Sequence, residues 1–181
     1  MIGEWEGMHL YSKPGVYGWD KIDAGSALLI DCLRHHNSFW SDAESVLDLG
    51  CGYGFLTVAS HWLPCKRRVA TDNNAGALLC MEKNAREHKL AVEVVAADKA
   101  NRVSGTFDLI LCNPPFHRGF DVDGDMTRDF LIAAKQKLAD KGTALFVVNS
   151  FIPLEKKLGG LFHRAQLLAD NRQFKVLALQ H

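Results

Sequence analysis

Five short apolar, β-branched runs recur along the chain, separated by stretches with helical periodicity: Ser45–Leu49, Arg68–Thr71, Val92–Ala96, Phe107–Cys112 and Ala144–Val148. Strands that are apolar almost throughout are covered on both faces, which is the situation of a parallel sheet packed between helices. The intervening stretches fit that role. Residues 24–39 gather Ala27, Leu28, Ile30, Leu33 and Phe39 on one side. Residues 74–88 turn Ala77, Leu78, Met81 and Ala85 inward and Glu82, Lys83, Arg86 and Glu87 outward. A third pattern over 126–139 carries Phe130, Leu131, Ala134 and Leu138 and stops at Lys141-Gly142. Strand–helix alternation with right-handed crossovers predicts a doubly wound α/β domain.

After Pro153 a short helix is expected near 154–162. Gln166–Ala169 and Phe174–Leu179, joined through Asp170-Asn171-Arg172-Gln173, then read as an antiparallel pair at a sheet edge. The seven runs together predict a mostly parallel seven-stranded sheet with an antiparallel C-terminal edge strand. No repeat, low-complexity tract or linker interrupts the pattern, so 1–181 reads as a single domain of a size that buries about 70% of its unfolded surface.

Lys+Arg and Asp+Glu both number 21, giving no net charge, so affinity for a polyanion must come from local patches. Five cysteines (Cys32, Cys51, Cys65, Cys80, Cys112) form no CxxC pair and are expected to be reduced, mostly buried thiols. No basic segment precedes an apolar run at the N-terminus, and no stretch reaches about 18 apolar residues. The expectation is a cytoplasmic protein without a membrane partner.

The segment Asp48-Leu49-Gly50-Cys51-Gly52-Tyr53-Gly54 leaves a strand and enters a helix expected to end at Pro64. Its glycines permit positive φ and close approach to a ligand. A dinucleotide fingerprint requires glycine where Phe55 or Thr57 stands, which weakens a nicotinamide or flavin reading. An acid at Asp48 repels a pyrophosphate but can orient a ligand ammonium group. Asp72, 22 residues after Gly50, is spaced to accept both hydroxyls of a ribose, and Asp98 at the end of the next strand could accept an adenine amine. Taken alone, either acid could instead cap the following helix. Three acids at three successive strand ends describe a pocket for a nucleoside carrying an amino acid.

The fourth strand runs into Asn113-Pro114-Pro115-Phe116-His117. Two prolines cannot continue the ladder, leaving the Asn113 and Pro114 carbonyls as unpaired acceptors beside the pocket. An exocyclic amine could donate its two N–H groups to the Asn113 side-chain oxygen and the Pro114 carbonyl, which aims its lone pair at an electrophile. Phe116 offers a face on which a planar base stacks, worth about 1–3 kcal/mol.

These two motifs resemble the S-adenosylmethionine-dependent amino-methyltransferases. Asn113-Pro114-Pro115-Phe116-His117, with Gly15-Val16-Tyr17 and Ile22-Asp23-Ala24-Gly25-Ser26 upstream and Phe174-Lys175-Val176 downstream, is similar to the catalytic C-terminal half of the small-subunit ribosomal RNA guanine-N2 methyltransferase C family and its large-subunit relatives. The resemblance covers nearly the whole chain. It implies a Rossmann-like class I methyltransferase fold, with S-adenosyl-L-methionine as cofactor and S-adenosyl-L-homocysteine as product. Asp48, Gly50 and Gly52 would line the methionine end, Asp72 and Asn73 the ribose, and Asp98 the adenine, with Asp23 and Gly25 against the cofactor. Asn113, Pro114, Pro115 and Phe116 would hold the target guanine, and His117 could contact base or backbone or be an incidental loop residue. The implied reaction is in-line displacement, with guanine N2 attacking the sulfonium methyl. The implied substrate is ribosomal RNA or a ribosomal subunit, the small subunit favoured. Family members carry a second, degenerate methyltransferase-like half ahead of this domain; it is absent from these residues. That half, or recognition of a partly assembled ribosomal subunit, is expected to supply RNA grip, the domain alone binding RNA poorly.

The tetrapeptide Asn113–Phe116 is shared with enzymes that methylate adenine N6 or a protein glutamine, and a non-catalytic RNA-binding or assembly module could keep the same fold. Asp121, Asp123 and Asp125 do not form a calcium loop, because Gly124 precedes the third acid and no Glu closes it. Residues 117–125 are read as a lid. His35-His36 and His61 lack ligand-spaced partners, so no metal site is expected. Cys51 and Cys112 are read as small buried fillers. Lys66-Arg67-Arg68 and Lys156-Lys157 are read as solvated element ends, the second pair able to meet phosphates.

Overall fold

The computed structural model describes residues 1–115 and 122–181. In chain order the elements are β1 (Gly3–Trp5), β2 (Met8–Leu10), α1 (Ala24–His35), β3 (Ser45–Leu49), α2 (Phe55–Ala59), β4 (Arg67–Asp72), α3 (Ala75–Glu87), β5 (Glu93–Ala96), β6 (Phe107–Cys112), α4 (Val122–Lys137), β7 (Leu138–Asn149), α5 (Leu154–Lys157), β8 (Arg164–Asp170) and β9 (Phe174–Gln180).

Seven strands form one sheet in the order β5-β4-β3-β6-β7-β9-β8. β3 pairs in parallel with β4 and β6, and β6 with β7. The expected mostly parallel sheet with an antiparallel C-terminal strand is therefore present, with one detail of placement. The reversed strand, β9, lies between β7 and β8 and pairs antiparallel with both, so it sits one position in from the edge.

The apolar runs are explained by the two layers. Along β7, Leu145 and Val147 face α1 through Leu29, Ile30 and Leu33, while Ala144, Phe146 and Val148 face α4 through Leu131 and Ala134. Side chains alternate across a strand, so covering both faces requires an apolar residue at every position.

Several local expectations shift. The periodicity of residues 24–39 ends as a helix at His35, followed by a 3-10 turn at Asn37–Phe39. α2 stops at Ala59, well before Pro64. Arg68 is not a solvated end. It is 8% exposed, and its guanidinium donates to the Ser60 carbonyl, the Ser60 hydroxyl and the Leu63 carbonyl, satisfying groups that α2 leaves open. Gly142 is not a helix terminator. α4 ends at Lys137, and a Cβ on Gly142 would stand 2.9 Å from the Phe107 carbonyl oxygen, so the close approach of β6 and β7 requires glycine. The short helix expected near 154–162 spans only Leu154–Lys157. Residues 122–125 of the expected lid open α4, and 117–121 lie outside the described residues.

An N-terminal hairpin, β1–β2, was not expected. Its two-residue turn puts Glu6 and Gly7 at φ 51° and 81°, and Trp5 meets Phe55 edge-on at 5.1 Å. All five cysteines are free, and Cys65 alone is not buried. Among the described residues no helix is long and apolar enough to cross a membrane, and no group of three or more His, Cys, Asp or Glu is placed to hold a metal.

Candidate active site

The carboxyl ends of β3, β4, β5 and β6 surround a cavity of about 750 Å³, within the range of small-ligand sites. Its floor is the glycine loop. Gly50 and Cys51 both donate their amides to the Thr71 carbonyl at 2.9 Å, and Gly52 donates to Asp72 Oδ2 at 2.9 Å. Three successive amides are thus engaged by β4, so they do not form an anion nest. Gly50 and Gly54 are required by contact as well as by positive φ: a Cβ would stand 2.9 Å from Phe130 Cε1 or 2.0 Å from Met81 Sδ. At Gly52 (φ 54°) a Cβ would meet nothing within 4 Å, so the backbone opens directly on the cavity.

Among the described residues Asp23, Asp72 and Asp98 stand on the wall, against a single lysine, Lys99. This charge balance suits a cationic ligand. Asp72 Oδ1 accepts from the Asn74 amide at 2.8 Å and Oδ2 from Gly52, yet each oxygen keeps a lone pair for a hydroxyl. Asn73 lines the cavity beside it. Asp98 follows β5 and leads into a 3-10 turn in which Lys99 has φ 45°. The Lys99 ammonium lies 3.4 Å from both Asp98 and Asp129, which ties this wall to α4.

Asp48 has a different position from the one expected. It is 2% exposed beneath the loop and absent from the cavity wall. Its Oδ2 accepts from the Thr57 amide at 3.0 Å and the Thr57 hydroxyl at 2.6 Å, so it braces the first turn of α2. Oδ1 is buried with no partner among the described residues. Burial pushes the Asp48 carboxyl up to about 7 against the pull of those Thr57 bonds, and nearby Asp72 adds to the rise. Gly25 is also off the wall, because a Cβ there would press on the Phe174 ring at 2.9 Å.

Asn113 follows β6 directly and lines the cavity. Its Nδ2 donates to Asp23 Oδ2 and to Ser26 Oγ, each at 2.8 Å. Asp23 Oδ2 also accepts from the Ser26 amide at 2.7 Å, capping α1. A carboxylate can only accept, so the amide orientation is fixed and Oδ1 is the atom left to a ligand. Pro115 lines the cavity; Pro114 is buried behind it and is not on the wall. Phe116 and His117 lie outside the described residues.

A family model described as the methyltransferase small domain matches residues 7–178. The chain belongs to the methyltransferase small domain family. Among curated proteins it is 34% identical over 175 residues to ribosomal RNA small subunit methyltransferase C of Actinobacillus succinogenes, covering 96% of this chain and 51% of that protein. The Haemophilus influenzae (Rd) protein of the same name is 34% identical over 177 residues, covering 97% and 52%. The chain thus spans about half the length of the curated relatives it matches. Among solved structures, the T. thermophilus 16S rRNA N2 G1207 methyltransferase (RsmC), in complex with AdoMet and guanosine, superposes with a TM-score of 0.84 at 29% identity, over 93% of this chain and 46% of that one. The fold is the Rossmann-like class I methyltransferase fold.

In this methyltransferase small domain the sequence motifs account for the floor and the acidic wall, but not for the strap that closes the front. Residues 15–19 bring Val16, Tyr17 and Trp19 to the cavity. Two asparagines of the α3 segment hold that strap. Asn74 donates to the Gly15 carbonyl at 2.9 Å. Buried Asn84 accepts from the Tyr11 amide at 2.9 Å and donates to the carbonyls of Tyr11 at 2.9 Å and Tyr53 at 2.8 Å. Gly15-Val16-Tyr17 enters the sequence reading only as part of the resemblance, with no place in the cavity given to it; with Gly18 and Trp19 it is the signal that points to the strap. Met126 and Phe130 of α4 complete the wall.

Proposed function

We propose that this chain is an S-adenosylmethionine-dependent N-methyltransferase acting on the exocyclic N2 of a guanine in ribosomal RNA, the small subunit favoured. Ribosomal RNA as substrate puts its work in the cytoplasm. The observation that carries the reading is the Asn113 amide, held by Asp23 and Ser26 so that Oδ1 is its ligand-facing atom. The relatives named for small-subunit rRNA methylation, and the similar structure with AdoMet and guanosine, favour guanine over adenine or glutamine.

The residues present fit the cofactor. Gly52 offers bare backbone to the cavity, and among the described residues three carboxylates face it against one lysine. Gly50 and Gly52 would pass beneath the methionine end, with Asp72 and Asn73 at the ribose and Asp98 at the adenine. When bound, S-adenosylmethionine supplies an activated methyl group. Asn113 Oδ1 accepts one N–H of the guanine amine, and the Pro114 carbonyl is assigned the other. Two acceptors on one amine draw it toward the tetrahedral, partly positive form of the transition state. Pro114 and Pro115 stiffen the strand tip, Phe116 is assigned the stacking face, and His117 a base or backbone contact. Holding two reactants in line can remove up to about 7–11 kcal/mol of barrier. The strap and α4 narrow the cavity's access to water.

The test is methyl transfer from labelled S-adenosylmethionine to deproteinised rRNA and to isolated small subunits, with the modified nucleotide mapped. A label at guanine N2 is expected; label on adenine N6 or on protein, or none at all, overturns the reading.

A further inference from the structure

The cavity is acidic, yet the rim beside Asn113 is not. Four basic residues stand on that rim: Arg128, Lys156, Lys157 and Arg172. Three sets of bonds join the elements that carry them. Arg128 Nη1 of α4 donates to the Lys157 carbonyl of α5 at 3.2 Å. Lys175 of β9 pairs with Glu155 of α5 at 2.8 Å. Ser150, just after β7, donates its amide to the Gln173 carbonyl at 2.9 Å and its hydroxyl to Asp170 at 2.7 Å, which fastens the exit of β7 to the β8–β9 turn holding Arg172.

This rim flanks the reaction end of the cavity. β6 and β7 run parallel with Cys112 opposite Phe146, so the exit of β7 lies beside Asn113. Phe174, paired with Asn149, reaches Gly25, two residues from the Asp23 that holds Asn113. At the exit of β7 stands Phe151, 72% exposed. Among the described acids nearby, Glu155 is paired with Lys175 and Asp129 with Lys99, while Asp170 keeps its charge and accepts from the Ser150 hydroxyl and the Arg172 amide. No ion pair engages Arg128, Lys156, Lys157 or Arg172 among the described residues. Among the described residues the four cations outnumber the one unpaired carboxylate, Asp170, around an exposed aromatic, on a chain with no net charge.

We infer that this rim, Arg128, Lys156, Lys157 and Arg172 with Phe151, is the docking surface for the RNA strand on either side of the target nucleotide. The cations take the phosphates, and Phe151 stacks on a neighbouring base. The inference rests on the methyl-transfer reading above and extends it to the substrate's backbone. The charges are segregated accordingly: the acidic cavity repels phosphate and admits a base, while the rim attracts the phosphates that the cavity refuses.

The experiment measures binding of fluorescein-labelled deproteinised small-subunit rRNA by anisotropy across a KCl series, alongside cofactor calorimetry and methyl transfer. The variants are K156A/K157A, R172A and F151A, with K66A/K141A, at the amino ends of β4 and β7 across the sheet from the cavity, as a control. Each lost phosphate contact lowers the slope of log affinity against log salt by about 0.7–0.9, so K156A/K157A is expected to lose about 1.5 and R172A about half that. F151A is expected to raise the RNA KM roughly tenfold, within the range of one base–aromatic stack, with cofactor affinity and kcat retained. The control is expected to match the wild type. Rim variants that bind RNA like the wild type, or a control that loses as much as they do, overturn the surface. If those variants keep their affinity while the wild type still methylates RNA, only the surface falls. If the wild type binds RNA through the rim but transfers no methyl group, the surface stands and the methyl-transfer reading falls.

Discussion

Asp23 and Asn113, 90 residues apart in the chain, share a 2.8 Å hydrogen bond that decides which end of the Asn113 amide meets a ligand. Asn113→Ala is therefore expected to lower turnover by about 10²–10³-fold, the usual loss on removing one hydrogen-bonding group aimed at a transition state, while cofactor affinity is held. Asp23→Ala leaves Oδ1 in place but unfixed, so the loss of turnover should be smaller. The vacated α1 cap should also cost about 1 kcal/mol of stability. Methyl-transfer kinetics, calorimetry and thermal unfolding separate the two, and equal losses of turnover and cofactor affinity in Asn113→Ala contradict its assigned role.

Two glycines of one loop should respond in opposite ways to alanine. Gly54→Ala forces a methyl group to within 2.0 Å of Met81 Sδ at φ 90°, and on the order of 3 kcal/mol of stability should be lost. Gly52→Ala meets no protein atom and should cost only about 1–2 kcal/mol for its left-handed backbone. Its methyl group enters the cavity, so cofactor affinity should drop more than stability does. Denaturant unfolding paired with cofactor titration measures both.

Asn84→Ala leaves the Tyr11 amide and carbonyl and the Tyr53 carbonyl without their partner, at a cost on the order of 3 kcal/mol. The strap should then open ahead of the sheet. Hydrogen exchange should show residues 11–19 losing protection selectively, with cofactor KM raised and kcat retained. Uniform loss of protection across the sheet would mean that Asn84 supports only the fold.

Asp48 makes stability depend on pH. Its carboxyl is raised to about 7 in the folded chain from an ordinary 3.8, so between those values the folded state holds a proton that the unfolded state has released. Stability linked to this group is thus greatest below about pH 4, falls as pH rises, and levels off above pH 7. The largest change this can represent is about 4 kcal/mol. Asp48→Asn keeps an acceptor for Thr57 and removes the titration, so its unfolding free energy should be flatter over that window. Parallel curves for the two proteins would show that Asp48 is not the titrating group.

The sheet was legible because its central strands are apolar at nearly every position, a pattern that double burial imposes and little else does. The glycine loop was legible for a local reason: Gly50, Gly52 and Gly54 all need positive φ within five residues. Asp48 and Arg68 were misplaced, and both errors share a cause. Each is charged, each is buried, and its partner (Thr57 for one, the end of α2 for the other) is set by how the turn after β3 folds back, which residue type alone does not reveal. The Asn84 clasp was invisible because it joins Tyr11 to Tyr53 across a long sequence separation and needs only one ordinary asparagine. The β1–β2 hairpin escaped because Glu6 occupies a positive-φ turn position usually held by Asn, Asp or Gly.

The placement of β9 has a consequence for how the chain is completed. β8 is made first but has no contact with β7 in the ladder; its only neighbour is β9, which follows it. A nascent chain halted before Phe174 would therefore carry β8 as an orphan and β7 as a raw edge. One late insertion zips both seams together and, by pressing Phe174 onto Gly25, seats the buttress behind Asp23 in the same stroke.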